Sequence, residues 1–562
     1  MLPLTEASPP GDRGVRPIAD VARDLGLDSE QVLPYGEGLA KLPVDLLSTL
    51  ERSSPRRGKL VLVTSMTPTT HGEGKTVTSI GLAMALRKLG YRSTVALRQP
   101  SLGPTLGLKG GGAGGGRATV EPAALLNLGF PGDTAAVTSA HNLLSALIDN
   151  HLYHRVAPIP DPGRIEWPRT LDMDDRALRE VRVGVGEGKG RGPARADSFI
   201  ITAASEVMAI LGLAQDHVDL KKRLGRIFVG WTGDSHPIYA EDLGAAGAMA
   251  ALLRDALRPN LVQTSEGTPA FVHTGPFANL GHGTASLLSI RMARELSEIC
   301  LVETGFASDL GLEKFMDLVS PVAKLSIDGV VVVATLPALR YHGGVDLAKD
   351  REPNPSAVSK GLVNLEKHLD NVRRLGLAPV VALNRFPGDS PEEVRLVGDF
   401  CDRQGVACAD STAYAEGSAG ALQLAEIVLD LTRKGGAEGH ALYDPGTTTA
   451  EEKLDRVARE VYGADGVELA PEAKKDLEEI RSLGHGQLPL CIAKTPLSLS
   501  DDPHLRGRPK GFVIRVHRVL PRTGAGYLVA TTGEIVLMPG LPKAPAALDI
   551  DLSPSGEITG VR

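Results

Sequence analysis

The chain has few aromatic residues and few cysteines, the residue that forms disulfides in secreted proteins and binds structural metals. Aromatic residues make up 4% of its 562 residues, and it has only four cysteines. These are Cys300, Cys401, Cys408 and Cys491, which form no CxxC pair and show no metal-type spacing with histidine. Reduced thiols of this kind are typical of a reducing compartment, so we predict a cytoplasmic protein without structural disulfides.

Long apolar runs and an excess of positive charge are also missing. No stretch of 18 uninterrupted apolar residues occurs, and the first residues, MLPLTEASPPGDRG, have neither a basic start nor an apolar core. The formal net charge is −7, from 61 basic and 68 acidic residues. This balance argues against a surface built for nucleic acid. We therefore predict that the protein binds neither a membrane nor nucleic acid. Any anion-binding site should have its own local cluster of positive charge.

The remaining composition is that of a large globular protein. Hydrophobic residues make up 42% of the chain and charged residues 23%, which favours neither disorder nor a fibrous repeat. At roughly 100–200 residues per domain, the length indicates three or four units. The 64 glycines fall partly in clusters such as residues 110–116, where a backbone turns sharply or approaches a ligand closely.

A strand, a loop and a helix follow one another near the N-terminus. Residues 59–66 (KLVLVTSM) are apolar and β-rich, residues 76–89 have apolar side chains at helical spacing, and residues 93–97 are again β-rich. This order predicts a βαβ unit and a mostly parallel sheet. Further strands are predicted at residues 226–230, 301–303, 329–334 and 379–383, with helices at 246–257 and 286–299.

The character of the chain changes after residues 353–355, and we predict three units. Residues 1–365 form the large α/β unit with the nucleotide site, and residues 366–447 form a small α/β unit. Residues 448–562 form a C-terminal α+β unit, with a helix at 451–461 and alternating strands at 513–519 and 527–531.

The loop between the first strand and the first helix carries a phosphate-binding pattern. Its residues are Thr69, Thr70, His71, Gly72, Glu73, Gly74, Lys75 and Thr76, which fit the P-loop pattern except that Thr69 replaces the first glycine. Such a loop points backbone N–H groups and a helix N-terminus at an anion. Lys75 adds a compact charge, and Thr76 can place its hydroxyl on the Mg²⁺ of a nucleotide. We predict a domain of the P-loop nucleotide-hydrolase type; the alternative is a glycine-rich turn with a solvated lysine.

Arg98 directly follows the second predicted strand. Open α/β sheets bind ligands beyond the carboxyl ends of their strands, so this guanidinium is a candidate for a phosphoryl or carboxylate oxygen. The alternative is a surface ion pair.

Several longer motifs give the chain a family resemblance. In chain order they are LRQPSLGPTLGLKGGGAGGG, SAHNLLSALIDNHL, FVHTGPFANLGHG, GFASDLGLEKF, NRFPGD, YGADGVEL, IAKTPLSLSDDP, GRPKGF and MPGLPKAPAA. With the P-loop, they resemble the monofunctional formyltetrahydrofolate synthetases (formate:tetrahydrofolate ligases) across nearly the whole chain. The resemblance implies a homotetrameric enzyme of one-carbon metabolism. Its substrates would be MgATP, formate and tetrahydrofolate, and its products 10-formyltetrahydrofolate, ADP and phosphate, formed through formyl phosphate.

The resemblance also implies roles for individual residues. Lys75 and Arg98 match the cations that hold formyl phosphate, where preorganised charge is rewarded. Asp133, in PGD, matches an acid that orients the folate amine or relays its proton; the alternative is a capping acid at a turn. The family's folate pocket is lined by aromatic rings that suit a flat pterin, and the matching positions are Phe306, Phe386 and Tyr414.

Three histidines in the matching motifs, His141, His273 and His282, have no carboxylate or cysteine at ligand spacing. We therefore expect a hydrogen-bonding scaffold from them and no metal site.

Two departures from the family pattern keep other functions open. Tyr414 stands where the family usually has Trp, and Gln99 where it has a Glu that is associated with a monovalent cation. A K⁺ or NH₄⁺ site at Gln99 is therefore doubtful. The alternatives are a paralogue that kept the fold as a binding or structural protein, and a P-loop ATPase switch that acts on a partner protein.

Overall fold

Twelve strands form one sheet in the computed structural model, which describes residues 15–36, 38–53, 57–70, 72–107, 112–186, 192–346, 352–434, 439–533 and 535–561. Seven strands run parallel, in the spatial order Pro269–Val272, Ser93–Leu97, Ile299–Glu303, Lys59–Ser65, Gly329–Ala334, Pro379–Asn384 and Cys408–Ser411. The other five lie at the margin beside the first of these and pair antiparallel: Asn260–Thr264, Ala40–Lys41, Leu33–Pro34, Ala118–Glu121 and Gly114–Gly115.

The central strands are buried along nearly their whole length and are mostly apolar, because both faces of the sheet are covered. Side chains alternate between the two faces along a strand, so Leu60 and Leu62 join one hydrophobic core while Val61 and Val63 join the other. Continuous apolar runs such as GVVVVA at residues 329–334 are the expected signature of such buried parallel strands.

Helices of eight or more residues cover these faces and build the rest of the molecule. They are Leu46–Ser53, Lys75–Lys88, Asp133–His154, Glu206–Leu213, His217–Gly225, Leu287–Leu296, Pro355–Arg374, Pro391–Gln404, Leu422–Arg433, Ala450–Val457 and Pro471–Ser482. The helices Lys75–Lys88 and Leu422–Arg433 pack on one face of the sheet, and Leu287–Leu296 and Pro355–Arg374 pack on the other.

Most predicted elements are present, but several differ in extent or in sheet. The single strand predicted at 513–519 is two strands, Val513–Val516 and Arg518–Arg522, which lie in different sheets. The helix predicted at 286–299 ends at Leu296. The strand predicted at 226–230 is Phe228–Thr232, and it lies in a separate antiparallel sheet with Pro160–Ile165 and Pro237–Tyr239. The helix predicted at 246–257 ends at Leu252 and continues as turns. Local apolar spacing predicts that an element exists, but its partner strand and its last turn depend on distant packing.

The predicted boundary at residue 366 falls inside the helix Pro355–Arg374. Beyond it, the strands Pro379–Asn384 and Cys408–Ser411 extend the main sheet, since residues 379–383 pair with residues 330–334 in continuous register. The second predicted unit therefore shares its sheet with the first. The division into three units stays a prediction.

Small sheets complete the fold outside the main one. In the C-terminal part, Gly466–Leu469 pairs with Val513–Val516, and Tyr527–Thr531 lies between Leu490–Ala493 and Arg518–Arg522. Shorter pairs join Val181–Val183 to Arg195–Asp197, Arg169–Leu171 to Phe199–Ile201, and Asp551–Leu552 to Ile558–Thr559. Among the described residues, no helix has the length and apolar character needed to cross a membrane. The α/β class with a large, mostly parallel sheet is confirmed.

Candidate functional site

The carboxyl ends of the parallel strands form one edge of the main sheet, and most predicted site residues follow this edge. The nucleotide loop, residues 67–76, comes after Lys59–Ser65, and Arg98 comes after Ser93–Leu97. The three aromatic candidates come after Ile299–Glu303, Pro379–Asn384 and Cys408–Ser411. Parallel pairing therefore gathers residues that are more than three hundred positions apart in the chain, such as Thr69 and Tyr414, at the edge where open α/β sheets bind ligands.

The nucleotide loop needs its two described glycines. Gly72 and Gly74 have φ angles of 78° and 73°, which L side chains rarely adopt. Gly74 also caps the helix Lys75–Lys88, and a Cβ atom there would lie 2.3 Å from Nδ2 of Asn384. Thr69 is buried and Thr70 is exposed, while His71 lies outside the described residues. The loop thus has the left-handed turns that let backbone N–H groups converge on an anion.

Glu73 holds the loop in place through hydrogen bonds of its buried side chain and its carbonyl. Its side chain is 2% exposed; one carboxylate oxygen accepts from the backbone N–H of Thr69 at 2.6 Å and the other accepts from the hydroxyl of Thr335. The carbonyl of Glu73 accepts from Nδ2 of Asn384 at 3.2 Å. Thr335 directly follows the strand Gly329–Ala334, and Asn384 ends the neighbouring strand Pro379–Asn384, so both strands contribute hydrogen bonds to the loop. This carboxylate therefore supports the loop's shape, and sequence reasoning did not identify either partner.

One carboxylate joins the nucleotide loop to Arg98. Oε2 of Glu303 accepts from the Thr76 hydroxyl at 2.6 Å, and Oε1 lies 3.6 Å from Nη2 of Arg98. Glu303 is 7% exposed and ends the strand between those that carry the loop and Arg98. Sequence reasoning missed it. The sequence does show an acidic residue at the end of the apolar run ICLVE. Many strands end in this way, however, so only the spatial order of the strands identifies Glu303 as a site residue.

The lysine of the loop contacts the strand from which the loop emerges. Nζ of Lys75 lies 3.4 Å from Oγ of Ser65, and the same hydroxyl donates to the carbonyl of Phe306 at 3.0 Å. Phe306 has a φ angle of 56°, which is unusual for a residue with a side chain. Ser65 therefore links Lys75, the lysine predicted to bind phosphate, to the first of the aromatic candidates.

Two aromatic candidates offer ring surface to solvent. Phe386 is 43% exposed and Tyr414 is 59% exposed. The end of the glycine-rich segment packs against Tyr414, because Arg117 N–H donates to its carbonyl at 2.8 Å and a Cβ on Gly116 would clash with it. Exposed rings are notable in a chain with 4% aromatic residues, and flat ligands stack on such rings.

Asp133 lies in a closed polar cluster. It begins the helix Asp133–His154 and is 3% exposed. Its Oδ1 accepts from Nζ of Lys41 and its Oδ2 from Nδ2 of Asn260, both at 2.7 Å, and Lys41 also donates to Asn260 at 2.9 Å. Both carboxylate oxygens are therefore engaged by protein groups, which matches a buried ion pair better than an accessible proton relay.

Gln99 is 4% exposed and lies beside Arg98. Its backbone N–H donates to the carbonyl of Thr274 at 2.6 Å, and Nε2 lies 3.5 Å from the carbonyl of Phe130. Its buried Oε1 has no hydrogen-bond partner among the described residues. Gln99 thus offers a neutral acceptor where a carboxylate would carry a negative charge. That a K⁺ or NH₄⁺ site at this position is doubtful stays a prediction.

Two of the three motif histidines form the expected scaffold. His141 contacts Oγ of Ser205 at 2.8 Å and the carbonyl of Pro168 at 2.9 Å. His273 contacts Oγ of Ser286 at 2.6 Å and the carbonyl of Ala256 at 2.7 Å. Burial lowers the pKa of His141 to about 3 and that of His273 to about 4, so both rings are neutral. His282 is also buried, but neither of its ring nitrogens has a hydrogen-bond partner among the described residues.

Two oxygen donors beside the nucleotide loop could hold a divalent cation. In the part of the chain that the structure describes, no group of three or more His, Cys, Asp or Glu side chains could hold a metal ion. The Thr76 hydroxyl and the Glu303 carboxylate are hard oxygen donors that lie together beside the nucleotide loop. Such a pair suits Mg²⁺, which usually binds through one or two protein oxygens together with phosphates.

Comparison with known proteins identifies relatives along the whole chain. Residues 11–562 match the profile of the family described as formate–tetrahydrofolate ligase. The chain is 51% identical over 545 residues to the formate–tetrahydrofolate ligase of Thermus thermophilus, covering 97% of this chain and 98% of that protein. It is 49% identical over 550 residues to the enzyme of the same name from Myxococcus xanthus, with 97% and 99% covered. For that from Thermotoga petrophila the identity is 48% over 547 residues, with 97% and 100% covered.

Proposed function

The chain belongs to the formate–tetrahydrofolate ligase family and is an enzyme that ligates formate to tetrahydrofolate at the expense of ATP, and we propose that the reaction takes place at the carboxyl edge of its main sheet. The observation that carries this placement is the contact of Glu303 with both Thr76 and Arg98. It joins the predicted phosphate-binding loop to a second cation across one intervening strand, and phosphoryl transfer is favoured by cations positioned together around the transferred group.

The first step makes formyl phosphate. A carboxylate oxygen of formate forms a bond to the γ-phosphorus of ATP while the bond to the bridging oxygen breaks, and ADP leaves with that electron pair. Both reactants are anions, so the step depends on preorganised cations. The loop N–H groups and Lys75 hold the phosphates, and Arg98 faces the charge that spreads over the transferred group. When bound with ATP, Mg²⁺ neutralises phosphate charge; Thr76 and Glu303 would hold it.

The second step transfers the formyl group. The lone pair of the folate N10 attacks the formyl carbon, the tetrahedral centre collapses, and phosphate leaves with the electrons of the broken C–O bond. The amine proton passes to the leaving phosphate. Asp133 anchors the start of the helix Asp133–His154 through Lys41 and Asn260 and acts on this step only by position.

The folate site lies beside the phosphate site on the same edge. The pterin stacks on the exposed rings of Phe386 and Tyr414, and Phe306, whose carbonyl is held by Ser65, completes its wall. This arrangement brings N10 of the folate to the formyl group above Arg98. The homotetramer implied by the resemblance remains part of the proposal, and sedimentation of the purified protein would check it.

The test is ADP release measured with formate and tetrahydrofolate each omitted in turn. Full turnover should need both, whereas an ATPase switch, which the family match does not favour, would release ADP without either. We expect Lys75→Ala and Arg98→Ala each to lower turnover by about 10²- to 10³-fold with the fold intact, because each removes a cation that faces developing negative charge. Parent-like rates in either variant would refute the placement of the site. Arg92→Ala, at the other end of the strand Ser93–Leu97, is the matched control.

A further inference from the structure

Two buried histidines hold Thr67, the first residue of the nucleotide loop. The backbone N–H of Thr67 donates to Nε2 of His368 at 2.8 Å, and its carbonyl accepts from Nε2 of His342 at 3.0 Å. Thr67 and His368 are 0% exposed, and His342 is 5% exposed. Side chains from outside the loop therefore engage both backbone groups of the residue at which the loop begins.

These contacts require a different tautomer of each histidine. A backbone N–H only donates and a carbonyl only accepts, so Nε2 of His368 has no proton and Nε2 of His342 carries one. The second nitrogen of each ring agrees. Nδ1 of His368 lies 2.7 Å from Oγ of Ser308, which can accept its proton, and Nδ1 of His342 accepts from the backbone N–H of Gly507 at 3.2 Å. Burial lowers the pKa of His368 to about 3 and that of His342 to about 4, so both rings are neutral as the contacts require.

Asn364 completes the surroundings of Thr67. It is 0% exposed; its Oδ1 accepts from the Thr67 N–H at 3.2 Å, and its Nδ2 donates to the Thr67 hydroxyl at 3.0 Å. Since the hydroxyl oxygen accepts from Asn364, its own proton can be donated to Nε2 of His368, 2.9 Å away. Both the main chain and the side chain of Thr67 are thus held in one orientation.

The far ends of these contacts lie on separate parts of the chain. Ser308 follows the strand Ile299–Glu303, and Gly507 belongs to the C-terminal part. Nδ2 of Asn364 also donates to the carbonyl of Gly507 at 2.8 Å. The start of the loop is therefore fixed to a segment beside the main sheet and to a segment that lies more than four hundred residues further along the chain.

The helix Leu336–His342 contacts the loop at both of its ends. Its N-cap residue, Thr335, donates to the carboxylate of Glu73, and its last residue, His342, contacts Thr67. One short helix therefore bonds to the first residue of the loop and to a residue near the loop's end.

We propose that His342 and His368 are positioning residues that hold the nucleotide loop in the arrangement that binds ATP. This inference rests on the proposed function, which places the nucleotide at this loop. Each histidine acts through Thr67. A loop that adopts its binding arrangement only part of the time has a weaker apparent affinity, in proportion to that fraction. The two histidines therefore act on the affinity for ATP more than on the rate once ATP is bound.

The experiment measures ATP binding by His368→Leu and His342→Leu. The first variant removes the shorter bond to the Thr67 N–H, and the second removes the bond to its carbonyl. A buried group that loses its partner disfavours the native arrangement, so we expect the Kd of MgATP, measured by calorimetry without formate or tetrahydrofolate, to rise about 5- to 100-fold. The KM for ATP should rise with it. At saturating ATP, kcat should stay within about threefold of the parent value, because bound ATP restores the loop.

Two further variants separate positioning from general packing. His368→Gln keeps an acceptor near the place of Nε2 and should recover most of the ATP affinity that His368→Leu loses. His151→Leu is the matched control: His151 is buried in the last turn of the helix Asp133–His154, and its Nδ1 lies 3.0 Å from the carbonyl of Val156. It should lower the melting temperature and leave the Kd of MgATP unchanged. If His368→Leu and His342→Leu also lower only the melting temperature, the proposal is overturned.

A second measurement uses the parent protein and stays decisive if the leucine variants do not fold. Solid-state NMR of ¹⁵N-histidine-labelled protein shows which ring nitrogen carries the proton, and His368→Gln and His342→Gln assign the signals. We expect the proton on Nδ1 of His368 and on Nε2 of His342; the same tautomer in both rings would overturn the proposal.

Lys75→Ala separates failure of this inference from failure of the proposed function. If Lys75→Ala leaves the Kd of MgATP unchanged, the nucleotide does not bind at this loop, and the proposed function fails together with the inference. If Lys75→Ala weakens ATP binding while both leucine variants bind ATP like the parent, only the positioning role of the histidines is refuted.

Discussion

Single residues at the sheet edge act through shared partners. Glu303 contacts Thr76 and Arg98 at once, and Ser65 contacts Lys75 and the carbonyl of Phe306. Lys75 could be identified from the sequence because the P-loop pattern is local. Glu303 could not be identified in this way, because its place in the site depends on its strand lying between the strands that precede Lys75 and Arg98. That order is set by pairing between residues more than two hundred positions apart.

Glu303→Gln tests the Mg²⁺ role of this carboxylate. The amide oxygen can still accept from Thr76, but the negative charge that complements a divalent cation is lost. Turnover at a fixed Mg²⁺ concentration should fall by about 10²-fold, and the rate should saturate at higher Mg²⁺. Glu298→Gln, at an exposed ion pair with Arg92, is the control and should change neither. An unaltered Mg²⁺ dependence in Glu303→Gln would contradict this role.

At the scale of elements, strands and helices were predictable where their apolar spacing was continuous. The runs at residues 59–66 and 329–334 gave strands within a residue of those observed. The strand near residue 228 was predicted as well, but its sheet was not, because a short apolar run does not encode its partner. The same holds for the site: the loops that follow strands could be identified, and their mutual contacts could not.

Tyr414→Ala probes the loop after the strand Cys408–Ser411. The ring is 59% exposed, so its loss should leave the melting temperature nearly unchanged. If the pterin stacks on it, tetrahydrofolate binding should weaken by about 1–3 kcal/mol and ATP binding should not. Tyr153→Ala serves as the control, because it removes another exposed ring that lies on a different element, the helix Asp133–His154. Equal weakening of both substrates would mean that Tyr414 only supports the glycine-rich segment.

Asp133→Asn distinguishes an anchor from a proton relay. In the buried cluster, the substitution leaves Lys41 without its counter-charge, which typically costs about 3–5 kcal/mol of folding stability. The double variant Lys41→Met with Asp133→Leu should recover much of that loss, since an apolar pair can replace a buried ion pair. A relay would show the opposite pattern, with full stability and slow formyl transfer. Denaturant unfolding and single-turnover transfer separate the two.

At the scale of the whole molecule, a buried carboxyl group connects two segments of the chain that are more than one hundred residues apart. Asp317 lies in the segment that follows the strand Ile299–Glu303, and its Oδ1 accepts from the backbone N–H of Leu442 at 2.7 Å. Burial raises the pKa of Asp317 from 3.8 to about 6, although the neighbouring Glu313 carboxyl and the hydrogen bond from the Leu442 amide oppose the shift. Burial raises the pKa of Glu313 as well.

This shift predicts a pH effect on stability. Between about pH 4 and pH 6, folded Asp317 keeps a proton that the unfolded chain has lost, so stability falls as pH rises through this window and the loss is complete above it. Asp317→Asn cannot titrate and can still accept from Leu442. Its melting temperature relative to the parent should therefore rise from pH 4 to pH 6 and then stay level. Asp255→Asn, at an exposed position, should show no such trend. If the melting temperature of Asp317→Asn relative to the parent does not change between pH 4 and pH 6, the raised pKa of Asp317 is contradicted.

The spatial order of the strands also constrains biosynthesis. The strand Lys59–Ser65, which leads into the nucleotide loop, has the strands Ile299–Glu303 and Gly329–Ala334 as its neighbours. A nascent chain that has just left the ribosome with its first 298 residues contains the whole loop but neither strand beside it. Non-local parallel pairing of this kind forms late and slowly, and the unpaired apolar strand stays exposed meanwhile. The loop proposed to bind phosphate is thus among the first parts to be translated, and its strand cannot acquire both neighbouring strands until residue 334 has emerged.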